Sequence, residues 1–170
     1  MILEPWLWVA TVAAAVPIAL ASAVAAWRRR PDPGTRPLAV MLLAVAWWAA
    51  TYLGELGAGT LAGTLFWARL EWTGSLLIPV AWLAFALEYT GREEYVTPRT
   101  VGALLVPWLA SLVLVWTNPA HHLVRTPVGL TDVGGLLVLD QVYGPWFLLA
   151  AAYTYVLVAA GAGLLVAMVT

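Results

Sequence analysis

The chain has 170 residues, 63% of them hydrophobic and only 10% charged, far from the composition of water-soluble domains. Its eight basic residues are all arginine, set against nine acidic ones, and the net charge of −1 argues against nucleic acid as a partner. Without cysteine there is no disulfide, thiolate metal site or cysteine nucleophile, and without lysine there is no Schiff base of the kind a retinal-binding protein needs.

Five apolar runs carry most of the sequence, at about 6–27, 38–57, 61–89, 101–116 and 144–170. A helix crosses a ~30 Å hydrocarbon core with about 20 residues. Four runs meet or approach that length, and 101–116 lies at its short end. The expected fold is all-α, a polytopic bundle of five membrane helices forming one transmembrane region over 1–170, in a multi-pass protein of the cell membrane. The first run is preceded by Glu4 and followed by Arg28-Arg29-Arg30, the reverse of a signal peptide's charge order, so it is expected to stay as a membrane helix. Pro31-Asp-Pro-Gly and Pro37 then interrupt helix in the first loop. Gly54, Gly57, Gly59 and Gly63 predict a tight turn between the second and third runs, making these helices antiparallel neighbours.

Along the third run, counting about 20 residues back from Glu88 reaches Arg69. Arg69 and Glu71 therefore fall near one membrane boundary, with Glu55 at similar height on the second run. A Glu55–Arg69–Glu71 cluster reads as a ligand- or signal-sensing site, or as a snorkelling group that pins two helices. Glu88, Arg92, Glu93 and Glu94 read as a solvated helix end. Thr97-Pro98 predicts a cap and first turn for the fourth helix. Pro17, Pro79 and Pro107, inside apolar runs, predict static kinks or hinges. Small residues at helical spacing, Ala13, Ala21 and Ala25 in the first run and Gly161 in the last, predict close helix approach.

The 117–143 connection is too long to be passive. Its runs 123–130 and 136–142, separated by Thr131-Asp-Val-Gly-Gly, predict a short β-hairpin over the mouth of the bundle. His121 and His122 precede it in a turn. They are candidates for stimulus sensing, since histidine titrates near neutrality; no metal-ligand spacing accompanies them, and no metal or other cofactor is expected. Loops 28–37 and 90–100 hold six arginines, whereas 58–60 and 117–143 hold only Arg125, which predicts an outward N-terminus and hairpin. The last run reaches Thr170 without a polar anchor, so the chain is expected to continue.

Four motifs then carry a resemblance. Leu87-Glu-Tyr-Thr-Gly-Arg92 ends the third run, Thr117-Asn-Pro-Ala-His-His-Leu123 follows the fourth, Tyr143-Gly-Pro145 opens the fifth, and Tyr153-Thr-Tyr155 lies inside it. In this order the chain resembles the N-terminal seven-helix membrane region of archaeal and bacterial sensor histidine kinases. The resemblance implies the first five of seven helices of a sensory region, followed in that family by cytoplasmic signalling modules. The expected partners are the lipid bilayer, a small-molecule or physical stimulus and a second copy of the chain in a homodimer, and no catalytic residue is expected in this chain. His121 and His122, on the outer side, do not correspond to a phosphorylated histidine. The alternative expectation is a small transporter or channel subunit, which would call for midplane charges and internal repeats that the sequence does not display.

Overall fold

The computed structural model describes residues 5–169, so Glu4 and Thr170 lie outside the described residues. Helix α1 spans Pro5–Arg28 and α2 spans Thr35–Gly57. The third span, Leu61–Tyr89, is built from α3, Leu61–Ser75, and α4, Leu77–Tyr89. Helix α5 covers Pro98–Thr117, strands β1 and β2 cover Arg125–Val133 and Leu136–Tyr143, and α6 covers Pro145–Val169. Among the described residues five helical spans are long and apolar enough to cross a membrane, and the antiparallel hairpin connects the last two.

Local chemistry sets the ends. Both α2 and α5 begin three residues ahead of their apolar runs, because polar first turns are tolerated where the backbone N–H groups lack helical partners anyway. Proline costs least at these positions, and Pro37 and Pro98 occupy them. Thr97 caps α5 by accepting from the Thr100 amide at 3.2 Å, and Thr60 caps α3 by accepting from the Gly63 amide at 3.2 Å. Pro79 has a sharper effect. It has no N–H for the Ser75 carbonyl, four residues earlier, and its ring crowds that oxygen. The helix breaks there, with Leu76 as the joint between α3 and α4. Pro17 and Pro107, by contrast, lie inside α1 and α5, which run on through them.

Helix α2 is central and packs on α1, α3 and α4, while α4 also packs on α6, α3 on α5, and β2 against α2 and α3. Alanine is the commonest buried residue between the helices, although Trp72, Leu76, Val115 and Val124 form a larger-sided core cluster, and large apolar residues cover the exterior. Ala19, Ala23, Ala39, Ala44, Ala49, Ala68 and Ala86 are buried, while Ile18, Leu43, Val106, Val113, Leu148 and Val156 are exposed. A water-soluble core would reverse this arrangement; close backbone approach with large apolar groups outside is what lipid favours. On α1 the buried small face is Ala19, Ala23 and Ala26, whereas Ala13, Ala21 and Ala25 face outward. That corrects the sequence expectation. A helix that is small and apolar all round carries no periodic signal for its packed face. Gly161 is buried against the Trp82 indole, as close packing requires.

Candidate functional site

The end of the bundle carrying the hairpin is organised by the segment after α5. Asn118 is buried, and its side-chain oxygen accepts from the Val124 amide at 3.0 Å and the Arg125 amide at 3.2 Å. Its Nδ2 donates to the Arg125 carbonyl at 2.7 Å. One side chain thus fixes the root of β1. His121 Nδ1 accepts from the Leu123 amide at 3.0 Å, which places the proton of the neutral ring on Nε2, 3.0 Å from the Thr117 hydroxyl. On the other strand, Gly144 donates its amide to the Val124 carbonyl at 2.9 Å. A side chain at 144 would place its Cβ 2.2 Å from the Leu123 carbonyl oxygen, so only glycine fits. At the opposite end the Gly134-Gly135 turn, with φ of 64° and 85°, lies against Pro5 at the start of α1. The hairpin therefore lies across the bundle, from the α5–α6 side to α1.

Beneath it is a cavity of about 490 Å³, lined from α2, α3, α6 and both strands. That volume falls in the range of small-molecule sites, roughly 300–1,000 Å³. The polar lining comprises Glu55, Glu71, Arg125 and Gln141, with the hydroxyls of Tyr52, Ser75, Tyr143, Thr154 and Tyr155. Its aromatic wall is interlocked: Phe147 stacks on Tyr143 with centroids 3.9 Å apart and meets Trp72 edge-on at 6.2 Å. The Glu71 carboxyl faces that of Glu55 within hydrogen-bonding reach. Oε1 of Glu71 and Oε1 of Gln141 are buried and have no hydrogen-bond partner among the described residues. The Arg125 guanidinium donates to the Ala68 carbonyl at 3.2 Å. Burial pushes Arg125 below arginine's ordinary range, opposed by the nearby carboxyl groups of Glu55 and Glu71. Arginine's intrinsic basicity keeps it a cation even so.

The cavity floor contains Ser75 and Leu76, the joint of the broken span. Around that joint, indole N–H groups hold the backbone and side chains. Trp108 donates to the Thr73 carbonyl at 3.0 Å, and Trp47 donates to the Leu70 carbonyl at 3.1 Å and the Thr73 hydroxyl at 2.6 Å. Below it, Trp82 donates to the Val158 carbonyl at 3.2 Å and so ties α4 to α6. At the far end of α4, Glu88 accepts from the Gly34 amide at 3.0 Å in the arginine-rich loop.

Of the residues singled out in the sequence, the structure brings Glu55 and Glu71 together in the cavity wall. Arg69 is outside that lining: its guanidinium lies over the Trp116 ring, 5.7 Å from the centroid. His121 closes the turn, and His122 is exposed with φ of 54°; neither lines the cavity. The arginine in the wall is Arg125, which the sequence reading used only for its charge in a loop. Gln141 and Tyr143 were likewise missed, because strand alternation alone does not say which face of a hairpin covers a helical bundle.

No curated protein matches the chain, and no solved structure matches it. The family model described as the N-terminal 7TM region of histidine kinase matches residues 10–170, from the second turn of α1 through the hairpin to the last described turn of α6 and beyond. With five membrane-capable spans and nearly the whole length matched, the chain belongs to the family of N-terminal 7TM regions of histidine kinases.

Proposed function

We propose that the chain is the sensory input region of a two-component histidine kinase, set in the cell membrane with the hairpin outside and the arginine-rich loops inside. The six-to-one distribution of loop arginines supports that orientation. The observation that carries the sensory reading is the placement of the cavity: it opens under the hairpin, and its floor is the α3–α4 joint. A stimulus that favours one shape of the cavity therefore acts on a point where a membrane helix is already interrupted. Transmission requires such a difference between two arrangements; binding that is equal in both transmits nothing.

The joint gives the signal a lever. Helix α4 has 13 residues. At 1.5 Å per residue it is about 20 Å long, so a tilt of ~10° at the joint moves its far end by ~3 Å. That end carries Glu88, bonded to Gly34 on the inner side. In this reading Glu55 and Glu71 sense the stimulus together with Arg125. Arg69 anchors the bundle edge through Trp116, and His121 holds the turn. The test is a cavity-filling substitution, Ala151→Trp, in the complete receptor with its kinase. Autophosphorylation per folded receptor should lock at one level. An unaltered output at normal abundance would remove the cavity from the signalling path.

A further inference from the structure

We propose that the stimulus read under the hairpin is the proton: the facing carboxyls of Glu55 and Glu71 share one, and its loss as the outer pH rises changes the shape of the cavity. The inference rests on the sensory reading above and names the stimulus of the same site. Glu71 faces Glu55 within hydrogen-bonding reach. Two carboxylates have no hydrogen to place between them, so such a contact is attractive only when one of them is protonated. Charge supports the same state. One shared proton leaves the pair with a single negative charge, which the Arg125 guanidinium in the same wall balances. Glu71 Oε1 is shielded and accepts no hydrogen bond among the described residues. A ligand N–H would need room to reach such an atom, whereas a proton held between two side chains needs none.

The surroundings leave this pair in control of the charge. Beside it, α2 brings Tyr52, β1 brings Arg125, β2 brings Tyr143 with the amide of Gln141, and α6 brings Tyr155. Other charged or titratable neighbours turn away. Arg69 of α3 lies over Trp116, Asp140 of β2 is exposed, His121 is bonded within its turn, and His122 is exposed. Among the described residues the lining thus holds two carboxyls and one permanent cation, and a single proton decides whether they balance. A cavity of about 490 Å³ with this polar lining has room for water, which carries protons to and from the outer solution. Position supplies the leverage. Glu71 stands one helical turn before Ser75, the last residue of α3. When the proton leaves, two negative charges face each other from α2 and α3 against one cation, and the pair is pushed apart. The push falls on the turn of α3 that ends at the Leu76 joint. The protonated and deprotonated pairs therefore favour different arrangements of the broken span, which is the difference that transmission requires.

The experiment uses the 170-residue chain in lipid nanodiscs, titrated from acid to alkali over the range in which it stays folded. Infrared difference spectra read the carbonyl band of a protonated carboxyl, and spin labels at the exposed positions 29 and 89 read the far end of α4. In the parent, one step with rising pH should remove an acid carbonyl band and shift the label distance by ~2–4 Å, the scale of a ~10° tilt at the joint. Glu71→Gln and Glu55→Gln each put an amide donor in place of the shared proton. Each should delete that step and hold the distance at its low-pH value. Arg125→Gln removes the cation that favours loss of the proton and should move the step up by about one pH unit or more. A merely structural arginine would change stability without moving the midpoint, and if this variant does not fold the parent and the two glutamine variants still decide the test. Absence of the step in the parent overturns the proposal. So does a step that survives both glutamine variants, since the titrating group is then a histidine or an inner carboxyl. An acid band that disappears while the distance stays fixed overturns the proton as stimulus. The sensory reading itself falls only if Ala151→Trp also leaves kinase output unchanged.

Discussion

Replacing Asn118 tests whether one side chain holds the hairpin over the cavity. Asn118 is 8% exposed and Val124 only 1%, so water has little access to the Val124 amide that Asn118 satisfies at 3.0 Å. In Asn118→Ala that amide loses its partner, at a cost of about 1–3 kcal/mol. The bonds to the Arg125 amide and carbonyl, at 3.2 and 2.7 Å, are lost as well. They contribute about 0.5–1.5 kcal/mol each, and part-exposure of Arg125 puts them at the lower end. A total near 3 kcal/mol corresponds to a fall of roughly 6–12 °C in Tm for a chain of this size. The effect should also be local: the Val124 and Arg125 amides should exchange with deuterium about a hundredfold faster, while amides in α2 and α4 change little. Asn118→Asp keeps both accepted bonds, loses the donor to the carbonyl, and should fall between. The assay is thermal unfolding in nanodiscs with hydrogen exchange read by mass spectrometry. A Tm within about 1 °C of the parent and unchanged exchange at the hairpin root would show that Asn118 does not hold the hairpin in place.

Four other outcomes follow from the same geometry. Gly144→Ala forces a methyl group against the Leu123 carbonyl oxygen, 2.2 Å from the ideal Cβ position, and should destabilise by about 2–4 kcal/mol or prevent folding, measured by thermal unfolding. Pro79→Ala returns an N–H to the Ser75 carbonyl and should straighten the third span; spin labels at 61 and 89 should move apart toward the ~42 Å of an unbroken 29-residue helix. Cysteine at position 133 should react with an impermeant maleimide added outside intact cells, and cysteine at position 32 should not; the parent chain has no cysteine to confuse the result. Arg69→Gln, which removes the cation over Trp116, should lower stability by about 0.5–1 kcal/mol in thermal unfolding and leave kinase output per folded receptor unchanged.

Much of the architecture was legible because lipid imposes it. A span must be apolar for about 20 residues, so runs such as 38–57 and 61–89 identify themselves, and Gly134-Gly135 between two β-prone runs marks the hairpin turn. The packed face of α1 was not legible, since alanines lie all around it. The break at Leu76 was half legible. Pro79 announces a disturbance, but Pro17 and Pro107 announce the same and their helices continue, so the proline alone does not decide. For the site, Glu55 and Glu71 could be paired because the short turn between α2 and α3 fixes their relative height. Arg69, two residues before Glu71, points some 200° around the helix from it and reaches Trp116 instead. Arg125 comes to the cavity through the fold of the hairpin, a contact of long sequence separation with Ala68 that no local pattern encodes.

Filling the cavity under the hairpin should move the far end of α4. Spin labels at the exposed positions 29 and 89 in the chain in lipid nanodiscs report that movement directly as an electron–electron distance, compared between the parent and Ala151→Trp. A shift of ~2–4 Å on filling is expected, the displacement that a ~10° tilt about Leu76 gives. Superimposable distance distributions for the parent and Ala151→Trp would show that the cavity and the end of α4 are not coupled.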